Sequence, residues 1–177
     1  MLFDLKPKED TKDFFNYVEE LNSFVNSLKD VSCRMIVVSG LRRVGKSSLL
    51  RVGLKKSGAK FILIDVRELS FIGRKSFEAK LLEELKTLKG FSSLLEKIEA
   101  IEAGVRISLK NEDSLWPLLK KINPVIAVDE VQMLKGTGVE SFFAAVYDNT
   151  SCKIVLTGSE IGVLDAFLGK NEPKAPL

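Results

Sequence analysis

The sequence predicts an α/β fold, a three-layer sandwich with a mostly parallel central sheet between two layers of helices. Four short apolar runs, at residues 34–39, 61–65, 125–130 and 152–158, read as strands that are buried on both faces of a sheet. Longer stretches with apolar residues at helical spacing alternate with these runs. Because this alternation favours a parallel sheet, we expect ligands at the carboxyl ends of the strands.

The predicted helices follow from apolar periodicity and from start and stop signals. After an irregular lead-in at residues 1–9, they span residues 10–29, 46–57, 76–89, 93–101, 114–122, 139–147 and 161–168. A short half-exposed strand fits residues 105–109, where apolar and polar residues alternate. We assign residues 1–170 to one domain and residues 171–177 to a polar tail.

Composition excludes several classes of function. The chain has 177 residues, 45% hydrophobic and 29% charged, with a net charge of +3, which makes no strong case for nucleic acid or membrane. No apolar run reaches about 18 residues, and the first residues do not form a signal peptide, so we expect a cytoplasmic protein without a membrane segment. The absence of histidine excludes histidine bases, histidine triads and histidine-ligated metals.

Residues 40–48 have the spacing G-x-x-x-x-G-K-[ST] of a phosphate-binding loop, between a predicted strand and a predicted helix. Glycines at both ends allow backbone N–H groups to converge on phosphate oxygens, and the helix N-terminus adds its positive dipole end. Lys46 supplies a positive charge and the Ser47 hydroxyl can ligate Mg²⁺. The predicted nucleotide contacts are Gly40, Arg43, Val44, Gly45, Lys46, Ser47 and Ser48. For Arg43, an exposed side chain that touches no phosphate is an open alternative.

Asp129 and Glu130 end the third predicted strand and form the second signature. Asp129 suits a contact with Mg²⁺, and Glu130 can polarise a water for in-line attack on a γ-phosphate. Alone, an apolar run that ends in two acidic residues only marks where a strand meets solvent. Its position downstream of a phosphate loop favours the catalytic interpretation.

Each of the other polar residues at the same predicted edge has two alternative interpretations, one functional and one structural. Thr157 or Ser159 can bind the γ-phosphate or the attacking water, and Ser159 can instead cap a helix. Gln132 can orient water or face solvent. Asp65 and Arg67, at the end of the second strand, can form a structural ion pair or belong to the site.

Three segments together resemble the archaeal ATPase family, an AAA-like, STAND-related branch of the P-loop NTPases. They are the loop at residues 40–49, the run through Asp129 and Glu130 to Gln132, and residues 154–160. Residues 2–8 are similar to the start of that family too, so the resemblance covers essentially the whole chain. It implies a P-loop NTPase fold, a sheet of order 5-1-4-3-2, ATP or ADP as the nucleotide, and Mg²⁺.

The resemblance also implies a role for each site residue. Lys46 contacts phosphate, Ser47 and Asp129 hold Mg²⁺, and Glu130 is the catalytic carboxylate. Ser159, or else Thr157, is the polar sensor, and we name Ser159. One departure concerns the adenine: the family usually has an Asp-Arg-Glu-type segment in the first helix, and residues 15–20 contain no arginine.

The family continues with a fifth strand, a helical lid and usually a C-terminal winged-helix domain. The resemblance therefore implies that this chain is an amino-terminal portion, with sheet order 1-4-3-2 and the fifth strand missing. The first strand is then an edge, and we expect another segment or a second copy of the chain to cover it. A DNA or protein partner would bind through the missing C-terminal region. The same order makes Cys33 and Cys152 neighbours, so a disulfide is conceivable, although two buried thiols are favoured.

Two functions from different classes fit these motifs. The first is an Mg²⁺-dependent ATPase module, slow without its lid, and the alternative is a nucleotide-dependent switch that regulates DNA or protein binding. A GTPase fits less well because no Asn-Lys-x-Asp motif is present and Gln132 stands where its switch needs glycine. A small-molecule kinase would need an arginine-rich lid.

Overall fold

The computed structural model describes residues 7–8, 17–88, 91 and 115–159. The structural statements below concern these residues. The predicted helices at 93–101 and 161–168, the strand at 105–109 and the tail at 171–177 lie outside them.

Five helices and four strands occur in the described residues. They are α1 (Val18–Lys29), β1 (Met35–Ser39), α2 (Lys46–Ser57), β2 (Phe61–Asp65), α3 (Arg74–Thr87), α4 (Leu115–Ile122), β3 (Val125–Asp129), α5 (Val139–Asn149) and β4 (Lys153–Gly158). Short 3₁₀ turns follow β2, at Val66–Glu68, and β3, at Val131–Leu134. Most predicted elements in this part of the chain are confirmed with shifts of one or two residues; α3, for example, begins two residues before its predicted start because Gly73 already accepts the first helical hydrogen bond, from Phe77. The helix predicted over residues 10–29 begins only at Val18, after the left-handed Tyr17, and residues 10–16 lie outside the described ranges.

The four strands form one parallel sheet of order β1-β4-β3-β2, as predicted. The register pairs Ser39 with Gly158 and Asp65 with Asp129. The carboxyl ends of all four strands therefore meet at one edge of the sheet, where the sequence predicted the site.

Helices cover both faces of the sheet, because successive side chains of each strand point to opposite sides. In β3, Ile126 and Val128 belong to a buried cluster with side chains of α3, α4 and α5. Val125 and Ala127 belong to a second cluster with side chains of α1 and α2. This arrangement confirms the three-layer sandwich.

The contact between α1 and α2 depends on Gly53. A Cβ atom at this position would lie 2.3 Å from Cδ1 and 2.5 Å from Cε1 of the buried Phe24 ring. The glycine therefore lets the two helices approach more closely than any side chain would.

Strand β1 is less buried than the sequence predicted. Its residues are either half-buried or exposed, and Val37 is 38% exposed, whereas all five residues of β3 are buried. The expectation of burial on both faces is wrong for β1 because, among the described residues, it pairs with β4 alone and lies at the edge of the sheet.

The two cysteines are free thiols. Cys33 is half-buried and its Sγ lies 3.6 Å from the carbonyl oxygen of Met35, whereas the buried Cys152 Sγ lies 3.5 Å from the carbonyl oxygen of Leu119. The interpretation as thiols is confirmed and the conceivable disulfide is not formed. Within the described ranges, no helix is both long enough and apolar enough to cross a membrane.

Candidate functional site

The loop between β1 and α2 has the backbone conformation of an anion cradle. Gly45 is the N-cap of α2, with φ 94°, a left-handed conformation that favours glycine. Arg43 also has a positive φ, 64°. No side chain caps α2 and its first turn contains no acidic residue, so its first N–H groups and its positive dipole end are available to an anion.

The side chain of Lys46 is folded back over this loop. Its Nζ donates hydrogen bonds to the carbonyl oxygens of Gly40, at 2.8 Å, and Leu41, at 2.7 Å. The residue is only 9% exposed. These contacts hold the ammonium group at the centre of the loop, where the sequence predicted a phosphate contact.

The segment before α1 contacts the same loop. The backbone N–H of Lys8 donates to the hydroxyl of Ser48 at 2.9 Å. Tyr17 has a left-handed backbone, with φ 64°, and its ring lies 3.9 Å from the position of a Cβ atom on Gly45. Ser48 therefore accepts a hydrogen bond within the protein, while Arg43 and Val44 are exposed.

Asp129 lies two strands away from β1 and is 2% exposed. One carboxylate oxygen, Oδ1, accepts hydrogen bonds from the hydroxyl of Thr157 and from the backbone N–H of Glu130, the latter at 3.1 Å. The other, Oδ2, lies 3.7 Å from Nη2 of Arg67. Three elements, β3, β4 and the turn after β2, thus fix the orientation of this carboxylate.

Glu130 follows in a left-handed conformation, with φ 60° and ψ 42°, which is uncommon for a residue other than glycine. Its Oε2 accepts a hydrogen bond from Nε2 of Gln132. The same Nε2 lies 3.2 Å from the hydroxyl oxygen of Ser159, at the end of β4. Gln132 therefore joins Glu130 and Ser159, two of the three residues predicted as catalytic from the sequence, the third being Lys46.

Asp65 and Arg67 form a bidentate ion pair at the end of β2. Nε and Nη2 of Arg67 donate to the carboxylate of Asp65 at 2.8 and 2.6 Å. Burial raises the pKa of Asp65, but the hydrogen bonds from Arg67 outweigh it and hold that pKa below its ordinary value. The same hydrogen bond to Asp65, with further attraction from Asp129 and Glu130, raises the pKa of Arg67.

The residues at this edge fit Mg²⁺ better than a metal held by protein alone. Within the described part of the chain, no three acidic or cysteine side chains cluster as a metal site would need. Asp129 and Ser47 offer one carboxylate and one hydroxyl oxygen, and Mg²⁺ is typically held by one or two carboxylates, water and substrate phosphates. This donor set suits Mg²⁺ that arrives with a nucleotide.

Sequence reasoning found most of these positions but missed three relationships. The sequence allowed two interpretations of Gln132, that it orients water or that it faces solvent. In the structure its side chain joins Glu130 to Ser159. The hydroxyl of Thr157 donates to Asp129. Arg67 reaches Asp129 as well as Asp65. The one sequence signal for Gln132 is its position two residues after Glu130, with the apolar Val131 between them.

Comparisons with known proteins agree with this geometry. The family model described as AAA domain matches residues 32–170. Among solved structures, the chain is similar to the Walker-type ATPase of Pyrococcus abyssi, with a TM-score of 0.73 and 30% sequence identity. That match covers 100% of this chain and 54% of the other, so the chain spans about half the length of that protein. No curated protein matches the chain.

Proposed function

Because the chain belongs to the AAA domain family, we propose that it binds ATP and hydrolyses it to ADP and phosphate with the help of Mg²⁺. The single observation that supports this most strongly is the convergence at one edge of the sheet. The phosphate loop follows β1 there, Asp129 is the last residue of β3, and Glu130 follows it. β4 lies between the two strands and brings Ser159 to the same edge.

Nucleotide binding is the task of the phosphate loop. The uncapped N-terminus of α2 receives the phosphates, and Lys46 turns from the carbonyl oxygens of Gly40 and Leu41 towards them. Ser47 and Asp129 would hold Mg²⁺. The metal, when bound, neutralises charge on the β- and γ-phosphate oxygens.

Hydrolysis is the task of Glu130. Its carboxylate accepts a proton from the attacking water as the water oxygen bonds to the γ-phosphorus. The bond from that phosphorus to the bridging oxygen breaks, and ADP leaves. Lys46 stabilises the negative charge that develops on the transferred group.

The test is nucleotide turnover by the wild-type chain, with ATP and GTP, with and without Mg²⁺. We expect ATP turnover that needs Mg²⁺, and a loss of about 10²-fold or more in Glu130→Gln, the range for a general base. Lys46→Ala should abolish ATP binding in calorimetry. Lys56→Ala removes an exposed lysine from the same helix and should bind as wild type does. Nucleotide binding that survives Lys46→Ala unchanged would contradict the proposal.

A second candidate is a nucleotide-dependent switch with little turnover. It is favoured by one observation, the hydrogen bond from Gln132 that occupies Oε2 of the Glu130 carboxylate. The two candidates differ in one result: a switch retains its partner-binding response in Glu130→Gln, whereas a machine driven by hydrolysis loses its output.

A further inference from the structure

We propose that Gln132 is a catalytic residue, which holds the attacking water through its side-chain oxygen while its side-chain nitrogen holds Glu130. The inference rests on the proposed ATP hydrolysis. It adds a residue to the site and assigns a role to each of its two polar atoms.

The first step is the position of the amide nitrogen. Nε2 of Gln132 donates to Oε2 of Glu130 and lies 3.2 Å from Oγ of Ser159. A neutral amide nitrogen has two hydrogens, so both are used, one towards β4 and one towards the residue after β3. Gln132 thus connects the carboxylate and the hydroxyl that flank the site.

The second step is the orientation of the amide. An ionised carboxylate only accepts hydrogen bonds, so the nitrogen and not the oxygen of Gln132 must face Glu130. Within the same amide plane, this directs Oε1 away from the hydrogen bond that Nε2 makes with Glu130. Oε1 is buried and has no hydrogen-bond partner among the described residues.

A buried acceptor without a donor is unfavourable, and native structures rarely leave one unpaired. A ligand that donates a hydrogen bond therefore satisfies Oε1. The amide nitrogen of the same side chain contacts the proposed general base and the proposed sensor, so a water molecule bound at Oε1 would lie beside the groups that serve the reaction.

The third step is the rigidity of the turn. Gln132 lies in the 3₁₀ turn Val131–Leu134, between the two fully buried side chains of Val131 and Leu134. Both belong to the large core cluster with Leu156 of β4. Since its neighbours are anchored in the core, the backbone of Gln132 has a fixed place beside the end of β4.

The chemistry of water explains why two acceptors are needed. One hydrogen of the water points to Glu130, which takes it as a proton, and the other is donated to Oε1 of Gln132. With both hydrogens held, an oxygen lone pair remains for the γ-phosphorus. The new bond joins the water oxygen to phosphorus, and the bond from phosphorus to the bridging oxygen breaks. The Gln132 amide stays neutral and keeps both of its hydrogens throughout.

The experiment compares Gln132→Met with wild type. Methionine has a similar length and no hydrogen-bonding amide, so packing is approximately retained. We expect kcat for ATP to fall about 10²-fold or more, with KM for ATP and ADP affinity within about twofold of wild type. Met133→Gln is the matched control on the exposed neighbour, and its kcat should equal that of wild type.

A cycle with Glu130→Ala separates a catalytic role from a structural one. If both residues act on one water, the double variant Glu130→Ala/Gln132→Met turns over within about threefold of Glu130→Ala alone. Multiplicative losses would overturn the shared role. Gln132→Glu, which keeps an acceptor but repels Glu130, gives a second folded variant if Gln132→Met unfolds, and it too should lose kcat.

The outcomes distinguish this inference from the proposed function. An active wild type with an equally active Gln132→Met overturns the inference alone. A wild-type chain that binds ATP through Lys46 without hydrolysing it overturns both. Loss of kcat with unchanged ADP affinity, together with a non-multiplicative cycle, supports the inference.

Discussion

The hydroxyl of Thr157 donates a hydrogen bond to the carboxylate of Asp129 across the β3–β4 pair. Both residues are almost completely buried, 0% and 2% exposed. The strand that leads to the predicted sensor, Ser159, thus also holds the predicted metal ligand, so the orientation of Asp129 depends on β4.

Replacing Thr157 by valine should destabilise the protein. The shape is retained, but Asp129 loses one donor while remaining buried, which typically costs about 1–3 kcal/mol. We expect the midpoint of thermal unfolding to fall by roughly 2–4 °C per kcal/mol. Circular dichroism of Thr157→Val and of Thr157→Ser, which keeps the hydroxyl, measures the effect. Equal midpoints for valine and serine would argue against the hydrogen bond.

The Asp65–Arg67 pair should make stability depend on pH. Because the pKa of Asp65 is lowered from 3.8 in the folded chain, the pair adds stability above that value and loses it as the pH falls through the folded pKa. Asp65→Asn should therefore cost about 1–2 kcal/mol at pH 7, given that Arg67 is half exposed, and progressively less below about pH 4. Thermal unfolding between pH 7 and pH 2.5 measures this difference.

The matched control for that series is Asp148→Asn, the same substitution at an exposed position near the end of α5. Its effect at pH 7 should be much smaller. A destabilisation by Asp65→Asn that stays constant down to pH 2.5 would exclude a charge-dependent contribution.

Gly53→Ala should separate α1 from α2. Alanine gains about 1 kcal/mol in helix propensity, but its Cβ would overlap the Phe24 ring, and overpacking of a core typically costs about 1–3 kcal/mol. We expect a net loss of about 1–2 kcal/mol. Chemical denaturation measures it, with Gly73→Ala as the control, since a Cβ there meets no atom within 4 Å and the backbone is extended. Equal losses in both variants would refute the steric explanation.

The two thiols should differ in reactivity. Burial raises the pKa of the Cys152 thiol, and the residue is fully buried, whereas Cys33 is half-buried. With a thiol reagent such as dithionitrobenzoate, we expect Cys33 to react in the native state and Cys152 only after unfolding. Cys33→Ser should remove the native reaction. Unfolded protein that yields no free thiol would reveal a disulfide instead.

The fold was predictable because apolar runs and helical periodicity report burial directly. The run at residues 125–129 is four apolar residues followed by an aspartate, and all five are buried. The run at residues 35–39 is likewise four apolar residues followed by one polar residue, and yet it is half-exposed. Composition cannot distinguish the two because exposure of an edge strand depends on which strands pair, and that is a property of the topology.

The location of the candidate site was predictable where its residues fall within a recognisable sequence motif. Lys46, Asp129 and Glu130 stand in such motifs, and the structure brings their strands to one edge. For Gln132 the sequence indicated a candidate for orienting water but not its contact with Glu130, because that contact depends on the left-handed turn at Glu130, a conformation that a glutamate does not predict. The partner of Thr157 depends in the same way on the pairing of β3 with β4.

The position of β4 has a consequence for synthesis on the ribosome. β4 is the last described strand along the chain but lies inside the sheet, and among the described residues β1 has no other partner. Arg34, just before β1, donates a hydrogen bond to the carbonyl oxygen of Thr150, which lies 116 residues later in the chain. At about 5–20 residues per second, synthesis of that intervening segment takes roughly 6–23 s. During that interval we expect β1 of the nascent chain to be unpaired and accessible to chaperones, so the phosphate loop is translated well before it acquires its final surroundings.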